Sequence, residues 1–377
     1  MSMKITKIKG IEIRLHLSTL LIVALVGFYA ISFYTSIVSR ASIIELLLVG
    51  LINGIILLIS ILMHELSHSI VAQKYGMNVS EIELYLFGGV SKIEEEPKTP
   101  KSELLIAAVG PLSSLFLGSI FLILFSLPIS FPSIILVTLF YSGISNIGLG
   151  IFNLVPAFPI DGGRVLRAIL WKRRNNIISA TKSASKIGVG FAYGLMIYGF
   201  FQLLYFGFFN GFWLIIMGLF LRSNAKQAYI QTLNEFTLSN TSIREMLYIP
   251  KKNLGIPFGL TVSDAVRDYF IPYKKSYFPV FQGDEIVGVV HIADIRQVPI
   301  YQRSNYIIGY IMRKISEFPY IDEDLTGKEA MKIMKQLVKQ PHILIVRGKE
   351  TKDMIGFVGE EELISSLKYW NLNYQNS

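Results

Sequence analysis

The chain has 377 residues, 52% of them hydrophobic, and no cysteine; its mean hydropathy is +0.48. Such apolarity excludes an ordinary soluble globule and fits a polytopic membrane protein, while the missing cysteines exclude disulfides and thiolate zinc sites, leaving His and carboxylate groups as metal ligands. The net charge of +9 is read as membrane topology rather than as nucleic-acid binding.

The first apolar run, residues 16–34, has no small-residue cleavage site after it and is expected to be a retained helix. The second run, 44–72, is also long enough to span a bilayer. Near its end it carries Met63-His64-Glu65-Leu66-Ser67-His68. On a helix, His64 and His68 fall one turn apart on one face, so both imidazoles can reach one metal ion. Glu65 lies beside them and can take a proton from a metal-bound water. The plain alternative is a pair of interfacial histidines and a snorkelling glutamate. Ionisable groups inside a span are costly, however, and are functional by default.

Residues 79–93 alternate apolar and polar around Gly88-Gly89 and predict a β-hairpin. A small sheet at the membrane face could offer an edge to an extended substrate, or could be an ordinary surface hairpin. Glu94-Glu95-Glu96-Pro97 reads as a solvated turn. The third run covers 103–127, closed by Pro128, and the fourth covers 132–154. The latter leads into Asn153-Leu154-Val155-Pro156-Ala157-Phe158-Pro159-Ile160-Asp161-Gly162-Gly163, where two prolines break the helix and two glycines permit a tight turn. Non-helical backbone at membrane depth belongs where it lines a cavity or is buried. Asp161 is therefore expected at the depth of His64 and His68, and two histidines with one carboxylate form a catalytic zinc set with a fourth position for water. Taken alone, Asp161 also reads as a helix cap. Asn153 could donate to a substrate carbonyl or oxyanion, or satisfy the broken helix backbone. The fifth and sixth runs, 187–206 and 207–221, predict a helical hairpin with its turn at Gly207 and Asn210-Gly211.

Basic residues orient these spans. Lys4, Lys7, Lys9 and Arg14 fall on one side, with Lys74, Lys92, Lys98 and Lys101 and the group Arg164 to Lys186; Arg40 stands alone on the other. The N-terminus and everything after Arg222 are thus expected in the cytosol, in a multi-pass cell-membrane protein.

From about residue 240 the chain is more charged and repeats itself with a period of about 65 residues. Each copy predicts helix, two adjacent strands, helix: Tyr277 to Phe281 and Ile286 to Val290 in the first, His342 to Val346 and Met354 to Val358 in the second.

With HELSH at 64–68, NLVPAFPIDGG at 153–163, Gly88-Gly89 and Val109-Gly110-Pro111, the first 225 residues resemble the site-2 protease family of intramembrane metalloproteases. The resemblance implies that His64, His68 and Asp161 bind one zinc ion, that Glu65 is the catalytic glutamate, and that Asn153 assists the transition state. It also implies single-span membrane proteins as substrates. The loop between the second and third spans is too short for a PDZ-like insert. The tail resembles a tandem pair of cystathionine-β-synthase (CBS) domains, which in many proteins bind ATP, ADP or AMP and associate as dimers. Of the family's G-x-x-T-x-x-D pattern the first copy keeps Gly288 and Asp294, the expected ribose contact, with His291 at the threonine; the second has Gly356, Gly359 and Glu362.

The sequence thus predicts a polytopic α-helical membrane protein with six transmembrane helices, residues 1–225, and a small sheet at the membrane face. A linker, 226–240, and a C-terminal α/β tandem CBS domain, 241–377 with copies at about 241–300 and 308–370, complete it. The expected function is intramembrane zinc-dependent peptide hydrolysis, regulated by adenine nucleotides through the tail. The competing reading is a CBS-regulated channel or transporter with His64, His68 and Asp161 as a metal transit site; it gives Glu65 no task.

Overall fold

A computed structural model describes residues 2–85, 88–93, 96–206, 208–249, 254–337, 342–350 and 353–375. The expected turn at Glu94 and Glu95, and Gly207 in the expected hairpin turn, lie outside the described residues. Two compact units divide the chain, 1–230 and 231–377.

The first unit opens with strands β1 (Ser2–Ile8) and β2 (Ile11–His16), which the sequence reading did not anticipate. They pair antiparallel through Lys9-Gly10, both at positive φ, the backbone a two-residue hairpin requires. Strands β3 (Val79–Tyr85) and β4 (Gly88–Ile93) form the predicted hairpin. β2 joins β3 in parallel, giving one sheet in the order β1-β2-β3-β4 with β4 at an edge. Ile11, Ile13, Ile82 and Leu84 turn one face of it onto Ile61 and Ala72 of the second helix and Ile106 of the third, a buried cluster.

Among the described residues five helices are long and apolar enough to cross a membrane: α1 (Thr19–Ile37), α2 (Ile43–Lys74), α3 (Pro100–Ser126), α4 (Ser133–Asn153) and, after α5 (Asp161–Arg174), α6 (Ile177–Phe206). Their outward faces expose residues such as Phe28, Leu47, Phe116 and Ile197, which in water would be costly and in lipid are not. Small residues let the helices approach: a Cβ on Gly27 of α1 would lie 2.9 Å from the Gly50 carbonyl of α2, and one on Gly118 of α3 equally close to the Gly143 carbonyl of α4.

The sixth apolar run is the first half of α7 (Phe208–Asn240), which packs antiparallel on α6 through the Ser185 hydroxyl on the Ala225 carbonyl, 2.6 Å, and Gly218 against Ala192. Asn210-Gly211 lie within this helix. Its apolar stretch is short and gives way to Arg222, Asn224 and Lys226, so six spans is an approximate count. The stretch 226–240, expected as a linker, is helical: it continues α7.

The second unit contains both expected repeats. Strands β5 (Ile256–Pro257), β6 (Tyr277–Gln282), β7 (Glu285–His291) and β8 (Arg313–Lys314) form one sheet in that order; β9 (Tyr320–Asp322), β10 (Ile343–Arg347) and β11 (Met354–Gly359) form the other in the order β11-β10-β9. The opening helix of each copy crosses to its sibling: Ile243 is buried among Ile321, Ala330, Leu344 and Val358, and Ile308 among Ile256, Val262, Phe278 and Val290. Matching bonds hold the exchange, Ile243 N to Leu325 O and Ile308 N to Leu260 O, 2.8 Å each.

Candidate metal centre

The second helix brings His64 and His68 to one face, as the four-residue spacing requires, with ring centroids 4.8 Å apart. Both are buried, about 5% exposed or less. A break after α4 delivers the third group. The chain turns through Val155 to Ile160, including a cis Phe158-Pro159 peptide, and starts α5 at Asp161. Gly162 and Gly163 make this turn possible, because a Cβ on either would fall 2.3 Å from Leu154 O or 2.1 Å from Phe158 N. Asp161 does not cap its helix; its Oδ2 lies 3.1 Å from Nε2 of both histidines.

The three groups place one donor atom each within 4.8 Å of one another, the arrangement expected of a metal-ligand set. The outer nitrogens support it. His68 Nδ1 is 2.6 Å from the Ile106 carbonyl, which can only accept, so Nδ1 carries the proton and Nε2 keeps its lone pair for a metal. His64 Nδ1 lies 2.9 Å from Ser114 Oγ, a second α3 group. A Cβ on Gly110 of α3 would come 2.1 Å from His68 Nε2 and 2.8 Å from His64 Nε2, so only glycine leaves room for the cluster. This donor set, two neutral imidazoles and one carboxylate, fits zinc.

Glu65 stands next to the cluster, its Oε2 accepting from Ser91 Oγ of β4 at 3.0 Å. Asn153, the last residue of α4, donates from Nδ2 to the Leu149 carbonyl one turn back, 2.9 Å, and so satisfies helix backbone. Below the turn, buried Arg167 of α5 pairs with buried Glu103 of α3, Nε to Oε1 at 2.5 Å, and stacks over the Phe158 ring at 5.0 Å. Spacing in the sequence does not reveal Ser91, Ser114, Glu103 or Arg167 as neighbours of the site. Val109-Gly110-Pro111 was the one local signal for the approach of α3.

In the tail, Asp294 has both oxygens engaged: Oδ2 accepts from His291 N at 3.0 Å, and Oδ1 from Arg313 Nη2 at 3.0 Å and Nε at 3.2 Å. A cavity of about 250 Å³ lies between the copies, lined among others by Ser276, Tyr277, His291, His342, Glu360 and Glu361, with no Lys or Arg among its described lining residues. Burial pushes the Tyr277 phenol well above its ordinary pKa, and Glu362 beside it adds to the shift by accepting its proton at 2.6 Å.

The chain is similar to known zinc metalloproteases. The profile described as Peptidase family M50 matches residues 53–135 and 128–197. The zinc metalloprotease MJ0392 of Methanocaldococcus jannaschii is 29% identical over 94% of this chain and 93% of its own. A solved structure, the site-2 protease from Methanocaldococcus jannaschii, is 33% identical over 60% of this chain and 94% of its own, with a TM-score of 0.42. The CBS domain of a bacterial CNNM/CorC family Mg2+ transporter is 19% identical over 37% of this chain and 83% of its own, with a TM-score of 0.31.

Proposed function

The chain belongs to peptidase family M50, the site-2 proteases, and from that premise we propose that it hydrolyses peptide bonds in or beside the membrane-spanning segments of single-span proteins. The observation that carries this reading is a zinc-type His64/His68/Asp161 set with a glutamate at its side, reached from helices apolar enough to span a bilayer. His64, His68 and Asp161 hold the metal, and Glu65 is the general base. When bound, the zinc ion supplies Lewis acidity, lowering the pKa of a water and polarising the scissile carbonyl. Glu65 takes the water's proton and passes it to the leaving amide nitrogen. The side chain of Asn153 turns from Leu149 to donate to the oxygen that gains charge. Gly89 lies against Glu65 and β4 is the last strand of its sheet among the described residues, so an extended substrate pairing there would present its backbone beside the centre. A transit site would give the base no proton to move, which disfavours transport.

Mapping products by mass tests the substrate class. Incubated with a tagged single-span reporter, the purified protein is expected to cut within the hydrophobic segment or its first flanking turn. Cuts confined to soluble loops would overturn the proposal.

The tail is proposed as a regulatory and dimerising CBS pair, with the tail and N-terminus cytosolic. Its cavity is lined by Glu360 and Glu361, with no Lys or Arg among the described lining residues, and Asp294 is already committed to Arg313. We expect little or no heat when the full-length protein is titrated with ATP, ADP or AMP; saturable heat would restore the nucleotide reading.

A further inference from the structure

The glutamate beside the metal-ligand cluster is held from a second element. Ser69 stands one turn after Glu65 on α2, fully buried. Its Oγ donates to Ser91 Oγ of β4 at 3.1 Å, and Ser91 Oγ donates to Glu65 Oε2 at 3.0 Å. The direction of this chain is fixed, because a hydroxyl has one proton to give and an ionised carboxylate can only accept. Along β4 the side chains alternate, so residues 89 and 91 face the same way. A Cβ on Gly89 would lie 2.2 Å from Glu65 Cγ and 2.8 Å from Cδ. The strand backbone therefore lies against the stem of the glutamate while Ser91 holds its head.

We propose that Ser91 is a positioning residue for the peptidase reaction, with Ser69 behind it. It fixes one carboxylate oxygen of Glu65 by hydrogen bond and leaves the other for the water that loses its proton. This rests on the reading of Glu65 as general base. A free glutamate side chain samples many rotamers, and a base must meet its proton at hydrogen-bond distance. The donor removes that freedom before substrate arrives. It also places the holder of the base on the last strand of its sheet among the described residues, where an extended substrate would pair, so a shift of β4 moves Ser91 and with it the carboxylate.

The test uses full-length protein in detergent with zinc content measured, acting on a fluorophore-tagged single-span reporter. Ser91→Ala is expected to lower kcat by roughly tenfold or more with KM and zinc unchanged, the loss of a hydrogen bond to a charged group. Ser91→Thr keeps the hydroxyl and is expected to return kcat to within about threefold of wild type. Independently of turnover, the infrared carboxylate bands that Glu65→Gln removes are expected to shift in Ser91→Ala and to stay in place in Ser91→Thr. Three results would overturn the proposal: Ser91→Ala with kcat within about twofold of wild type, a kcat loss accompanied by zinc loss or unrelieved by threonine, or unshifted carboxylate bands. Wild-type protein that cleaves no reporter removes the peptidase reading instead, and the infrared bands then decide whether Ser91 holds Glu65.

Discussion

At His68 the proton on Nδ1 is assigned by the group it meets, the Ile106 carbonyl, and this leaves the lone pair on Nε2. Gly110 is the counterpart on α3, since its missing Cβ is the space the imidazoles occupy. Gly110→Ala is therefore expected to displace the rings and lower zinc stoichiometry, measured by metal analysis of the folded protein; full zinc with unchanged cleavage would contradict it. At this scale the sequence was most legible for His64, Glu65 and His68, because a helix converts a four-residue spacing directly into one face. Asp161 was expected level with the histidines and its Oδ2 lies 3.1 Å from both Nε2 atoms, but its alternative role as a cap could be set aside only from coordinates. Ser114 and Ser91 were not legible. They reach the site from other elements, and no local spacing encodes a tertiary neighbour.

The turn that carries Asp161 packs on a buried ion pair, with Arg167 over the Phe158 ring at 5.0 Å. Glu103 and Arg167 are both buried, and each is the other's partner. Removing one leaves an uncompensated buried charge, so Arg167→Ala is expected to cost about 3–5 kcal/mol, whereas Glu103→Leu with Arg167→Met together costs less than either single change. Thermal unfolding of the three variants checks this; a double variant less stable than both singles would contradict it. Strands β1 and β2 were overlooked for a physical reason. Their alternation, as in Ile11-Glu12-Ile13-Arg14-Leu15, is short and directly precedes an apolar run, and parallel pairing of β2 with β3 across α1 and α2 leaves no local mark. The linker expected at 226–240 was helical because its Ala, Lys, Gln and Leu residues favour helix once α7 has begun.

For the whole molecule, the apolar runs were legible from their length and the repeated tail from its period, whereas the exchange of opening helices between repeats is a matter of topology and left no pattern to read. Orientation can be tested cleanly because the chain has no cysteine. Arg40→Cys is expected to react with a membrane-impermeant maleimide in intact cells, and Lys172→Cys only after permeabilisation. The reverse pattern would invert the topology and move the tail to the outer face. The tail's shared core supports both copies, so Phe357→Ala, fully buried where the two sheets meet, is expected to cost about 3–5 kcal/mol in denaturant unfolding of the full chain.

The most direct measurement is cleavage of a single-span reporter by detergent-purified wild type and Glu65→Gln, each with zinc determined, with and without a chelator. The account predicts chelator-sensitive cleavage by wild type, one zinc in both proteins, and a loss of about 10²–10⁴-fold in Glu65→Gln, the usual weight of a general base. Equal cleavage by the two proteins would take Glu65 out of the mechanism. Cleavage that survives removal of the metal would contradict a zinc peptidase altogether.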